Sequence, residues 1–227
     1  MPQPYLPNFK HKKYAISMHS IYRRPQFEAA IGRSIALWSH VDSQVGQLFA
    51  LLIGVESEAT HRVYLLLRRW SNQRQSLEEA ARGSLSGDPH NVFLALMAEY
   101  SILERQRNDL SHGVFGACPD DETFLFMIKI EDHVLWRTDN LEKVEDGAFK
   151  PVNRDDLEKC LWVYRLSDFE RMHEQMGRLL QGMSHFNAYL TNPKYAGPNA
   201  LFHRLLSSAH IQRHISLLKQ TTNQNDS

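Results

Sequence analysis

Few of the features that assign a chain to a class at sight are present in these 227 residues. There are two cysteines, Cys118 and Cys160, and no Cys-x-x-Cys spacing. That excludes a disulfide-stapled scaffold and a cysteine-based zinc module, and two buried unpaired thiols fit a reducing compartment such as the cytoplasm. Net charge is absent too, with 26 basic against 26 acidic residues, so no global preference for nucleic acid or membrane is expected. The longest apolar run, Leu48 to Val55, falls far short of the ~20 residues needed to cross a bilayer. The opening MPQPYLPNFKHKK carries charge with no apolar stretch behind it, so no secretory signal is expected. No internal repeat, Walker A loop, Rossmann glycine fingerprint, Ser-His-Asp order or nucleotidyltransferase signature is found.

The charge that is present is unevenly placed. Residues 1–118 hold 13 basic and 10 acidic residues, 119–158 hold 5 and 12, and 159–227 hold 8 and 4. An acidic middle therefore separates two mildly basic parts. Residues 1–25 contain three prolines by position 7, five basic residues and no acidic one. They read as an extended basic arm without a core of its own, a solvated tail or an RNA-contacting one.

Helical spacing begins at Pro25, a first-turn proline, and Ile31, Trp38, Val41, Val45, Leu48 and Leu52 continue it to a stop at Gly54. A second helix is expected from Ser57 to about Leu85. A third opens with Asp88 and Pro89 and closes at Gly113. Beyond it TFLFMIKI alternates and HVLWR follows, which reads as a β-hairpin, with LWVYRL as a third strand. Ser167 and Glu170 have capping-box spacing and predict a fourth helix to about Leu190. A last helix is expected over about Asn199 to Lys219, then a disordered tail, 221–227. The expected fold is mainly α: an up-down bundle over 26–190, carrying a small antiparallel β-insert at about 114–166 before its fourth helix, with a loop and C-terminal helix over 191–220.

One residue disturbs this pattern. On the third helix Phe93, Leu96, Tyr100, Leu103, Arg107, Leu110 and Val114 keep a 3-4 spacing and fall within a stripe about 100° wide. An arginine inside an apolar stripe either snorkels past the core, pairs with a buried carboxylate or lines a cleft. Its neighbours Asn108, Ser111 and His112 favour the cleft. Arginine clamps phosphate, asparagine donates and accepts, and histidine carries protons near neutral pH. Those parts suffice to cleave a phosphodiester without a metal.

Arg107-Asn108-Asp109-Leu110-Ser111-His112 resembles the Arg-Asn-x-x-x-His signature of the HEPN superfamily, at its usual place near the end of a helix. Gly113 and the first-helix stretch LWSHVDSQVGQLF are also similar to bacterial members. The resemblance covers roughly 26–190. It implies a four- or five-helix bundle and a metal-independent, cytoplasmic endoribonuclease whose site forms across a homodimer, in toxin–antitoxin or antiviral defence. Arg107, Asn108 and His112 would be catalytic, with Ser111 in support. No cofactor is implied, and the partners would be RNA, a second copy and a separate antitoxin or regulatory protein. The other class is a non-catalytic dimeric module binding RNA, a nucleotide or a protein.

Other clusters carry weaker signals. Asp42, one place past Val41, is a candidate for holding Arg107, or a surface aspartate. Arg68, Arg69 and Arg74 beside Trp70 form a possible RNA-facing strip, or a solvated basic face. His210 and His214 have helical metal-ligand spacing and His203 lies nearby, but Ile211 stands where HExxH needs glutamate, so no metal is expected. The acidic segment 119–158 repels RNA and is expected to be peripheral to the chemistry.

Overall fold

The computed structural model describes residues 2–5, 9, 13–17, 19–54, 58–67, 70–141 and 154–225. In chain order the elements are β1 (Gln3–Pro4), β2 (Ala15–Ile16), α1 (His19–Tyr22), α2 (Pro25–Leu52), α3 (Glu58–Leu66) and α4 (Trp70–Ser84). They continue with α5 (Gly87–His112), β3 (Val114–Cys118), β4 (Asp121–Ile128), α6 (Ile130–Leu141), α7 (Arg154–Cys160) and β5 (Trp162–Tyr164). The chain ends with α8 (Leu166–Thr191), α9 (Ala196–Leu206) and α10 (Ala209–Asn225). It is mainly helical with one small antiparallel sheet. No described helix is long and apolar enough to cross a membrane. Two compact units result, Met1–Ala36 with Arg105–Glu174, and Leu37–Glu104 with Gln175–Ser227.

The first unit is built on a five-stranded sheet in the order β1-β5-β4-β3-β2. β3 and β4 form a hairpin in which Val114 faces Ile128 and Ala117 faces Leu125, with a bulge after Ala117. Its turn is Pro119-Asp120, and just past it Asp121 Oδ1 accepts from the Thr123 amide at 3.0 Å. Phe124, Phe126 and Ile128 take alternate positions on β4 and share one core with Tyr5, Phe9, Leu157, Leu161 and Val163.

Three expectations are corrected in this unit. The N-terminal segment is no coreless arm, because β1 and β2 close the two edges of the sheet and Tyr5 and Phe9 are buried. Arg24, counted among that arm's basic residues, is 5% exposed; its Nη2 donates to the Cys118 carbonyl at 2.6 Å and to that of Asp121 at 3.3 Å. HVLWR is helical, within α6, because Glu131 and Asp132 start a helix well and turn a hairpin poorly. The sheet is therefore no simple insert: it joins the chain start to β3, β4 and β5. Segment 119–158 supplies β4, the middle strand, so the sheet cannot form without it.

Within the same unit the starts of α2 and α8 meet. Phe27 and Phe169 pack edge to face at 6.0 Å. His173 Nε2 lies 2.9 Å from Ser34 Oγ and 3.1 Å from the Ala30 carbonyl.

The second unit is helical. Val41, Val45, Leu48, Leu77, Ala81, Phe93, Leu96, Leu179 and Phe186 are all buried, whereas Val63 and Leu66 on α3 are exposed. Gly54, with φ of 71°, ends the turn after α2 in a conformation that glycine adopts without strain. Gly182 permits a close approach, since a Cβ there would stand 3.0 Å from Leu96 Cδ2. Tyr189 stacks on Phe202 at 4.2 Å. The expected second helix is in fact α3 and α4, with non-helical Leu67 after α3. The expected last helix is α9 and α10, parted at Ser207 and Ser208, and α10 carries the polar tail in helix as far as Asn225.

Candidate functional site

α5 buries the face that its spacing prescribes. Phe93, Leu96, Tyr100, Leu103 and Leu110 are buried, and Arg107 sits half-buried on the same stripe between Leu103 and Leu110. Asn108 is half-buried, whereas Ser111 and His112 are exposed. Arg107, Asn108, Ser111 and His112 all belong to the first unit, on the last turns of α5. Two of the pairs share a helix face at i, i+4: Arg107 with Ser111, and Asn108 with His112. Arg107 and His112 lie about 140° apart around the axis and ~7.5 Å apart along it. One α5 thus presents a phosphate clamp and a proton carrier on adjoining faces rather than converging on one point.

The strand that follows fixes the end of this helix. A Cβ at Gly113 would stand 2.6 Å from Met127 Sδ and 2.7 Å from the Asp109 carbonyl, so only glycine fits. Val114 then pairs at once with Ile128. Lys129, just past β4, reaches back to Asp109 at 3.1 Å, inside the motif itself. The β3–β4 hairpin therefore holds the turn that carries Asn108 and His112.

Asp42 is in the second unit, where its Oδ1 accepts from the Tyr100 hydroxyl at 2.7 Å. Burial first, and the adjacent Asp42 second, hold that phenol far above its ordinary range. Arg74 is exposed and pairs with Glu78 at 2.7 Å along α4, a bond of little energetic weight. Arg68 and Arg69 lie outside the described residues. Among the described residues no group of three histidines, cysteines or carboxylates is placed to hold a metal.

Three further polar residues hold positions that helical spacing does not reveal. Arg24 holds the turn between β3 and β4, and His173 bridges the starts of α2 and α8. Glu99 is 8% exposed on α5, and its Oε2 lies 4.0 Å from His210 Nε2. Glu99 lies about 60° from Leu96 on the helix wheel, just outside the apolar stripe, so counting the stripe passes over it. No family model, curated protein or solved structure matches the chain.

Proposed function

We propose that the protein is a metal-independent endoribonuclease of the HEPN type, with Arg107, Asn108 and His112 from two copies of the chain forming one composite site. The observation that carries this reading is Arg107, half-buried in an otherwise buried stripe, with Asn108 and exposed His112 one turn onward. RNA supplies its own nucleophile. A base takes the proton from a ribose 2′-hydroxyl, that oxygen bonds to the adjacent phosphorus, and the bond from phosphorus to the 5′-oxygen breaks as an acid protonates the leaving oxygen. One histidine cannot be base and acid at the same instant. A two-fold dimer brings two copies of His112 to one cleft and removes the difficulty. Arg107 neutralises charge developing on the phosphoryl oxygens. Asn108, on the face of His112, orients the ring or bonds the phosphate. No step calls for a metal, and a toxin or defence role fits a nuclease that is harmful when unrestrained.

The test is paired. Light scattering at micromolar concentration should report a dimer. The purified protein should cut single-stranded RNA in excess EDTA and spare DNA of the same sequence, which lacks the attacking hydroxyl. A monomer, or activity that EDTA abolishes, would contradict the composite site.

A further inference from the structure

We infer that the second unit carries a binding site for a small phosphate-type oxyanion, in the cavity walled by Arg178, His185, Arg204, Ser208 and His210. The cavity holds about 300 Å³, room for a phosphate with a modest group attached. α8 contributes Arg178 and His185, α9 contributes Arg204, and Ser208 and His210 stand at the opening turn of α10. The partial positive charge of that helix start adds to two fixed guanidinium charges. No carboxylate is among the described residues lining the cavity, and neither arginine makes an ion pair among the described residues.

The second observation lies just behind this wall. His210 Nε2 and Glu99 Oε2 are both buried, and neither has a hydrogen-bond partner among the described residues. They are 4.0 Å apart, too far to satisfy one another. Buried polar atoms left this way are uncommon in a folded chain and call for an absent partner. Burial holds the Glu99 carboxyl above the ordinary carboxylate range, with Arg178 partly offsetting. Burial first, then the charges of Arg178 and His214, hold His210 below the ordinary histidine range. The same positive surroundings that disfavour a lone imidazolium favour an incoming anion, which would accept a hydrogen bond from its ring N–H. Arginine's planar fork suits the phosphate oxygens. The inference is independent of the chemistry proposed for the first unit.

The full-length protein titrated with inorganic phosphate, and separately with a nucleoside 5′-monophosphate, tests this by calorimetry. Saturable one-to-one binding of either is expected; phosphate binding marks a site for the free anion, and binding of the nucleotide alone marks a site for a terminal phosphate. Arg178 and Arg204 are exposed, so Arg178→Gln and Arg204→Gln should keep the fold, as circular dichroism checks. Each should weaken binding roughly tenfold or more, the scale of a lost charged hydrogen bond. Arg82→Gln, an exposed arginine elsewhere in the same unit, should leave it unchanged. No binding of either anion at millimolar concentration, or binding indifferent to both arginine changes, would overturn the inference.

Discussion

The sulfur of Met127 occupies the space that a side chain at Gly113 would need, 2.6 Å from where its Cβ would lie. The contact joins the end of α5 to the middle strand of the sheet and so sets where His112 points. Gly113→Ala must push against Met127 and against the Asp109 carbonyl, a backbone atom that cannot swing aside. The expected loss of stability is about 1–3 kcal/mol, the usual range for overpacking. Any RNA cleavage should fall further than stability alone would explain, measured as rate per folded molecule. A variant as stable and as active as wild type would remove the hairpin from the account of the site.

Tyr5 is 1% exposed and packs edge to face on Tyr14 and Phe126 at 5.5 and 5.8 Å. Tyr5→Ala should therefore lower the unfolding free energy by roughly 3–5 kcal/mol, as for other buried large aromatic residues. Urea denaturation measures it. A change within experimental error would restore the picture of a solvated arm.

Arg24→Ala should destabilise by about 1.5–3 kcal/mol, because the Cys118 carbonyl loses a charged donor at 2.6 Å. The exposed Glu122 beside it adds little. Glu122→Ala, measured by the same denaturation, should thus be nearly silent while Arg24→Ala is not.

Acid should weaken the fold in a defined window. His133, His173, His210 and His214 are all held below the ordinary histidine range, each chiefly by burial. The unfolded chain then binds the protons first. The contribution is whole above about 6.5 and is lost as the pH falls from there through the lowered folded values. Glu99, raised by burial, acts in the opposite sense between its ordinary range and its raised value. His173→Gln isolates one histidine: the fall in melting temperature on acidification should be shallower than in wild type. An identical slope would mean that burial does not hold His173 below the ordinary histidine range.

The long helices are legible because each has one apolar face, and α2 and α5 have plain end signals in Pro25, Gly54 and Gly113. The Ser167–Glu170 capping box is displaced, since α8 begins at Leu166 and Asp168 Oδ2 accepts from the Arg165 amide at 3.0 Å. Local spacing also set the stripe in which Arg107 stands out. What misled was long-range pairing. The alternation in TFLFMIKI marks β4 as a strand, but its partners are β3, upstream across the Pro119-Asp120 turn, and β5, not HVLWR. Val134 and Leu135 in that stretch are exposed, so their hydrophobicity reports no buried strand. Tyr5, Arg24 and His173 escaped notice for a related reason, since each is explained only by atoms distant in the chain: Phe126, the Cys118 carbonyl and Ser34. Of the site itself, the residue types and their helix positions could be read in advance, while the Met127 and Lys129 contacts that hold them could not.

The most direct measurement is the chemistry of the RNA ends. Wild-type protein incubated with single-stranded RNA in EDTA should leave a 2′,3′-cyclic phosphate on one fragment and a 5′-hydroxyl on the other, the first products of internal attack. His112→Ala should lower the rate by roughly 100-fold or more through loss of the proton carrier. Arg107→Ala should do comparable damage with the dimer intact, through lost stabilisation of the phosphoryl charge. Fragments ending in a 3′-hydroxyl and a 5′-phosphate, or cleavage that survives both substitutions, would contradict the assignment of Arg107 and His112.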